Sequence, residues 1–284
     1  MKPNLFEKMK QVKLQPKEWS ALIITILLLG VVGMILPGGE DWSGVFRPAT
    51  KLLLSGKSPY GDPGFFSPIW VMIPFIPLSY LPTSLGRAVL FVLAILSFTY
   101  SAKKLGAKTW IIAAFLISPP VIFSLWLASN DWMPMLGFVL PPQIGLFLIL
   151  TKPQMGSIVA LFWFVEAWRK GGYKEAFRVF APVTIAFLLN FLVFGFWPLR
   201  SGSLVTIEHN ASFWPATIPI GLGLIVASLR KRNMKFAMAA APCLTPYIMF
   251  PSWVGVIGAI LSSAPEAITA ILGTWIFIIL RAIS

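Results

Sequence analysis

The sequence predicts an all-α protein, a polytopic integral membrane helix bundle of about nine or ten spans, some of them broken or re-entrant. Hydrophobic residues make up 57% of the 284 residues and charged residues only 12%, whereas soluble domains are about half apolar and about a quarter charged. Apolar runs close to the ~20 residues that cross a bilayer recur along nearly the whole chain. These observations exclude a soluble single domain.

Clusters of Lys and Arg predict the orientation of the chain. They lie at residues 2–17, 103–108, 169–178 and 230–235, and the positive-inside rule places all four in the cytoplasm, together with residues 1–20. The net charge of +13 does not indicate nucleic acid, because no segment outside the membrane is long enough for a nucleic-acid-binding domain. We expect the basic residues to meet anionic membrane lipids instead.

The apolar runs form one predicted transmembrane domain over residues 1–284. The first run, from Ala21 to Leu36, is expected to be an uncleaved signal anchor, because no small-x-small cleavage pattern follows it. Later spans are predicted at 86–102, 110–127, 154–168, 179–196, 214–229 and 236–250, with two shorter runs at 252–263 and 266–282. Residues 132–151 are split at Pro141-Pro142 into two half-length runs, which predicts broken helices that line a cavity.

Two segments, 38–85 and 197–214, are predicted to lie on the outer face. Within the first, an amphipathic pattern over residues 46–54 predicts a juxtamembrane helix in the membrane interface. Residues 66–82 contain four prolines, which break the hydrogen-bond ladder of a lipid-exposed helix. We therefore expect a short outer-face or re-entrant segment there, which keeps Lys103, Lys104 and Lys108 inside.

Few polar residues stand out as candidates for chemistry. Glu40 and Asp41 directly follow the first apolar run, and a carboxylate at the membrane boundary can act as a general base because partial burial raises its pKa. The alternative is a solvated loop acid. Lys152 lies between two apolar runs. Its ammonium group either snorkels to the interface or pairs with an anion within the protein. His209, the only histidine, is either incidental or functional.

Neither a metal site nor a cofactor is expected. Cys243 is the only cysteine, so neither a disulfide nor a cysteine-based metal site is available within the chain. The sequence contains no glycine-rich phosphate loop, no Ser/His/Asp spacing and no carboxylate or histidine cluster of metal-site type.

Several motifs, in their order along the chain, resemble the C-type membrane glycosyltransferases, in particular the branch of mannosyl- and arabinosyltransferases that use polyprenol-phosphate sugars. The motifs are Glu40-Asp41, then LLLSGKSPYGD, FFSPIW, IPLSYLP, LTKPQMG, EHNASFWP and finally LTPY. The likeness covers most of the chain. The chain is shorter than the usual relatives, its middle spans are truncated around Pro141-Pro142, and no acid accompanies the late LTPY element.

The resemblance implies an inverting transfer of a sugar from a polyprenyl-phosphate donor to an acceptor hydroxyl at the extracytoplasmic face. The lipid-linked sugar would be the donor substrate, and no cofactor would be needed. Asp41, beside Glu40, would be the catalytic base. The residues implied in binding sugar or phosphate are Lys152, Gln154, Arg200, His209, Asn210, Tyr60 and Arg47.

Two other functions stay open on the sequence. The short length and the few polar residues also suit a non-catalytic accessory or scaffold subunit, with other membrane subunits as partners. Broken helices and an intramembrane lysine are found in small transporters and lipid-handling proteins. In each case we expect a multi-pass protein of a bacterial-type plasma membrane with a cytoplasmic N-terminus.

Overall fold

The computed structural model describes residues 16–60, 64–199 and 210–283. Across these residues the fold is helical, as predicted, apart from one isolated β-bridge between Asn210 and Met249. The α-helices are α1 (Pro16–Ile35), α2 (Arg47–Leu54), α3 (Phe75–Ser79), α4 (Thr83–Lys104), α5 (Thr109–Leu116), α6 (Pro119–Leu127), α7 (Trp132–Gly137), α8 (Pro142–Ile149), α9 (Pro153–Phe194), α10 (Ile218–Lys231), α11 (Met234–Ala240), α12 (Val254–Ile260) and α13 (Ala264–Ile283). A π-helical segment (Asp41–Phe46) precedes α2, and short 3₁₀ turns cover Ile69–Met72, Ala241–Cys243 and Phe250–Trp253.

Four helices of the described chain, α1, α4, α9 and α13, are long and apolar enough to cross a membrane. A fifth crossing is available if α5 and α6, which meet at a bend of 56°, act together. The remaining apolar runs form shorter helices, because prolines and glycines interrupt them. The run at 236–250, for example, is not a continuous helix: α11 ends at Ala240, and Pro242 and Pro246 follow within six residues.

Helix α9 is 42 residues long but is broken in its middle. Gly171 and Gly172 leave helical geometry, and Gly172 has a φ of +59°, a conformation that glycine adopts without steric cost. The ring centroids of Phe164 and Phe180 lie only 5.5 Å apart, whereas a straight helix would separate them by about 24 Å at 1.5 Å per residue. The two arms of α9 therefore form a hairpin, in agreement with the predicted runs at 154–168 and 179–196.

The turn after α1 is fixed by a buried arginine of α4. Arg87 donates hydrogen bonds to the carbonyl oxygens of Leu36 and Pro37, and Gly39 N donates to Trp126 O over 2.8 Å.

The predicted helix of the first outer segment is present as the π-helical segment and α2. Its Phe46 ring packs on Phe75 of α3, with 4.9 Å between centroids.

Helices α7 and α8 form a tight antiparallel pair because glycines face each other where they meet. A Cβ atom on Gly145 would lie 2.6 Å from the carbonyl oxygen of Gly137, and one on Gly137 would lie 3.0 Å from that of Gly145. This close approach brings the start of α7, at Asp131, to the same end of the pair as Lys152, which follows α8. The predicted pair of broken helices thus builds a polar site.

Candidate functional site

A buried ion pair is the centre of the site. Lys152 Nζ lies 2.7 Å from Asp131 Oδ1, and the two residues are 8% and 0% exposed. Lys152 Nζ also donates to Ser129 Oγ at 2.9 Å and approaches Ser252 Oγ at 3.5 Å. Ser252 Oγ donates to Asp131 Oδ1 over 2.7 Å, and Ser124 Oγ donates to Asp131 Oδ2 over 3.3 Å. Both charges are thereby compensated by oxygen and nitrogen partners.

The Asp131 carboxylate is held ionised by this environment. Burial on its own would raise the pKa of Asp131, but the Lys152 ammonium and the hydroxyl groups of Ser252 and Ser129 together lower it below the ordinary value. Asp131 therefore serves as a permanent negative charge beside Lys152 rather than as a proton acceptor.

Asp41 lies within electrostatic range of the same pair. Burial raises the pKa of this carboxyl above its usual value, the negative charges of Asp131 and Glu40 raise it further, and Lys152 and a hydrogen bond with Ser129 only partly oppose them. The π-helical segment that follows the first apolar helix places Asp41 there. Of the two acids predicted to be catalytic, Asp41 faces the cluster, whereas Glu40 is exposed.

Tyr247, in the irregular segment after α11, also faces the carboxylates. Its pKa is raised to about 12 by burial first and then by the negative charges of Asp41 and Asp131. The phenol therefore keeps its proton at neutral pH and remains a hydrogen-bond donor. Four stretches of the chain, near residues 41, 131, 152 and 247, thus bring ionisable groups together at one site.

Asn210 anchors the segment that carries Tyr247. Its side chain donates to Pro246 O over 2.9 Å and accepts from Ile248 N over 3.1 Å, so it holds the backbone on both sides of the tyrosine. Ser212 Oγ adds a hydrogen bond to Thr245 O at 2.6 Å. Asn210, which the resemblance implies in binding sugar or phosphate, is therefore part of the scaffold of the site.

Asn130 adds a donor that has no acceptor within the described residues. The residue is 1% exposed and lies between Ser129 and Asp131, yet its Nδ2 has no hydrogen-bond partner there. Buried amide groups are nearly always paired. A polar atom of a bound molecule or of a water would satisfy this amide.

The structure places the remaining predicted binding residues as follows. Tyr60 donates to Asn190 Oδ1 at 2.9 Å and stacks on Trp197 at 5.3 Å, in a separate aromatic cluster. Arg47 donates to Leu81 O at 3.1 Å. Gln154 is half-buried in the first turn of α9, two residues after Lys152. Arg200 and His209 lie outside the described residues.

Sequence reasoning missed all three partners of the Lys152 ammonium group. The partners are Asp131, Ser129 and Ser252, and Tyr247 was also given no role. One signal could have found the first two: Ser129-Asn130-Asp131 is a polar triplet between two apolar runs, and a polar residue at such a position needs a partner in the fold.

Comparison with known proteins does not assign the chain to a family. Among the described residues, no three His, Cys, Asp or Glu side chains are grouped closely enough to hold a metal ion. No protein-family model, curated protein or solved structure matches the chain.

Proposed function

We propose that the protein is an integral membrane glycosyltransferase that moves a sugar from a polyprenyl-phosphate donor to an acceptor hydroxyl at the extracytoplasmic face. The observation that carries this proposal is the convergence of Asp41 on the buried Lys152–Asp131 pair, with the Tyr247 phenol within range of both carboxylates. A carboxylate of raised pKa next to a cation and to neutral donors is the set of groups that such a transfer needs.

In the proposed reaction Asp41 accepts the proton of the acceptor hydroxyl. The hydroxyl oxygen then forms a bond to the anomeric carbon while the bond from that carbon to the phosphate oxygen breaks. Polyprenyl phosphate leaves with the bonding electron pair, and a single displacement inverts the anomeric centre. The raised pKa of Asp41 favours this role, because a base works best when its pKa approaches the operating pH.

Charge on the departing phosphate would be stabilised by the cluster around Lys152. Asp131, Ser129 and Ser252 already contact the ammonium group. Lys152 therefore stabilises the phosphate by its positive charge without direct contact, unless a phosphate oxygen displaces one of these partners. The unpaired amide of Asn130 and the protonated phenol of Tyr247 are neutral donors for the same oxygens. Arg200 and His209 belong to the proposal on sequence grounds.

The surroundings of Ser252 suit a lipid substrate. A groove of about 290 Å³ lies between the Phe250–Trp253 turn and α13, and its lining is mostly apolar. Phe250, Trp253 and Phe277 contribute to its walls. Because Ser252 belongs to both the turn and the polar cluster, a polyprenyl tail in this groove would carry its phosphate toward the site.

Sugar transfer by the purified full-length protein in nanodiscs tests the proposal. We expect a polyprenyl-phosphate hexose or pentose to be consumed, with loss of turnover in Asp41→Asn, because an amide cannot accept the proton. Glu266→Gln, which removes an exposed acid at the start of α13, is the control and should keep the wild-type rate. Undiminished turnover in Asp41→Asn would remove this residue from the mechanism.

A carrier is the second candidate, because the buried Lys152–Asp131 pair lies between short helices of the kind that transporters use at midplane sites. Flux of a lipid-linked sugar or a small anion into sealed proteoliposomes, without turnover, would favour it. Stoichiometric co-purification with other membrane proteins, without flux or turnover, would favour an accessory subunit.

A further inference from the structure

A second cavity, of about 360 Å³, lies beside the basic break in the middle of α9 and the basic C-terminal end of α10. The arms of the α9 hairpin and the residue after α10 enclose it. Trp163 and Val179, both nearly buried, form its apolar floor. Lys170, Arg178 and Arg232 line it with exposed cationic groups. Positive charge thus surrounds an apolar floor.

The ion pairs of this cleft leave positive charge in excess. Glu166 pairs with both Arg169, at 2.9 Å, and Arg232, at 2.6 Å. Glu175 likewise pairs with both Lys170, at 3.3 Å, and Arg178, at 2.6 Å. Two carboxylates are therefore shared among four cations. The four cations exceed the two carboxylates by two charges, and three of these cations, Lys170, Arg178 and Arg232, line the concave space, which therefore attracts anions.

The guanidinium group of Arg232, the residue that caps the C-terminus of α10, lines this cleft. Arg232 has a φ of +50°, which is uncommon for a residue other than glycine, asparagine or aspartate. Its Nε and an Nη both donate to Glu166 Oε2, over 2.9 and 2.6 Å. The left-handed conformation ends α10, and the backbone N–H of Arg232 donates to Ser228 O.

Exposed aromatic side chains beside the cleft suit a position at the level of lipid headgroups. Trp168 and Tyr173, on either side of the α9 break, are 54% and 68% exposed. Exposed tryptophan and tyrosine at the ends of membrane-crossing helices are typical of the interface between hydrocarbon and water. The neighbouring Lys174 ammonium lies 6.0 Å from the Tyr173 ring centroid. A ligand of the cleft would therefore meet both charge and acyl chains.

We propose that this cleft binds the phosphate group of an anionic phospholipid. Arginine groups donate paired hydrogen bonds to phosphate oxygens, and basic pockets between membrane helices recognise anionic headgroups. The phosphate neutralises the excess charge shared around Glu166 and Glu175, while the glycerol and acyl part lies along Trp163 and the exposed face of α9. The proposal does not depend on the proposed sugar transfer.

The test compares lipids retained by the purified full-length protein in native mass spectrometry. The probes are mixed micelles that contain equal amounts of phosphatidylglycerol and phosphatidylcholine. The test variant is Lys170→Gln/Arg232→Gln, which removes the excess of two charges yet leaves Glu175 paired with Arg178 and Glu166 paired with Arg169. The control is Lys174→Gln/Arg230→Gln, which removes the same charge at exposed positions that do not line the cleft.

We expect the wild-type protein and the control variant to retain phosphatidylglycerol over phosphatidylcholine, and the test variant to lose about 10-fold or more of this preference. An equal loss in both variants would overturn the proposal, because a diffuse surface charge would then explain the binding. Displacement of bound phosphatidylglycerol by excess inorganic phosphate would overturn the assignment to a lipid, because the acyl part would then add nothing to binding.

A wild-type protein without any preference would also contradict the proposal, and this measurement needs no variant. If Lys170→Gln/Arg232→Gln fails to fold, Lys170→Gln alone provides the comparison, since the Lys170 side chain is 72% exposed and its ion pair is long. We expect this single variant to show a smaller loss of preference, of about fivefold. An unchanged preference in Lys170→Gln would overturn the placement of the phosphate in the cleft.

Discussion

Lys152 and Asp131 form an ion pair that neither residue could form without the α7–α8 hairpin. Their 2.7 Å contact joins the residue before α9 to the residue before α7. The glycines at positions 137 and 145 allow the two helices to approach this closely. The ion pair therefore depends on tertiary packing, and the free energy that it contributes to folding depends on how closely α7 and α8 pack.

We expect Lys152→Met to lower the free energy of unfolding by about 3–5 kcal/mol, because the Asp131 carboxylate would stay buried without its cation. The double variant Lys152→Met/Asp131→Asn should lose less than the single variant, since neither charge remains. Denaturation by SDS in mixed micelles measures both, and the two single variants complete a double-mutant cycle. A Lys152→Met protein of wild-type stability would mean that the two charges are not coupled.

The sequence was sufficient to predict the elements that local patterns determine. The run at 86–102 is long, apolar and free of proline, so it predicts α4 within a few residues. The split at Pro141-Pro142 predicts the separate helices α7 and α8, because proline cannot continue the hydrogen-bond ladder. Length, apolar content and proline positions are properties of single segments.

The partners within the site could not be predicted in this way. Ser252 lies 100 residues after Lys152 and approaches it only because the Phe250–Trp253 turn packs against α6. Tyr247 faces Asp41 because Asn210 holds the backbone on either side of the tyrosine. Such neighbours depend on packing between distant segments, and no local pattern in the sequence encodes it.

Asp41 should destabilise the folded protein at neutral and alkaline pH. Because its pKa is higher in the folded state than in the unfolded chain, the folded state binds the proton more tightly. The stability that this proton contributes is complete below the unfolded pKa of about 3.9 and is lost as the pH rises through the folded-state pKa. We therefore expect Asp41→Asn to be more stable than wild type at pH 8, with a difference that shrinks toward acid pH.

Unfolding midpoints in detergent across a series of pH values measure this difference. Glu266→Gln, which changes an acid remote from the cluster, should show no gain at pH 8. A gain in Asp41→Asn that is the same at every pH would contradict the raised pKa, and a loss of stability would show that the carboxylate is favourably paired.

Tyr247→Phe tests the phenol as a donor in the proposed transfer. The pKa of about 12 keeps the hydroxyl protonated, and loss of one such donor lowers the rate of a charge-developing step by about 100-fold. The ring remains, so folding and donor binding should change little. Initial rates at saturating lipid-linked sugar separate turnover from binding. Tyr80→Phe, at a residue 75% exposed, is the matched control, and equal rates in both variants would exclude the phenol from the reaction.

Alanine substitution should have different effects on stability at two glycines, Gly156 at the contact between α8 and α9 and Gly223 on α10. A Cβ atom on Gly156 would lie 2.2 Å from the carbonyl oxygen of Ile149, a backbone atom that cannot rotate away. Gly156→Ala must therefore push the end of α8 from the start of α9, which displaces Lys152 between them. We expect a loss of about 1–3 kcal/mol in the free energy of unfolding.

At Gly223 of α10 no atom lies within 4 Å of the added carbon, so Gly223→Ala should leave the free energy of unfolding unchanged or raise it by up to about 1 kcal/mol. SDS titration of both variants measures the difference, and equal stability of the two would mean that α8 and α9 are not in close contact.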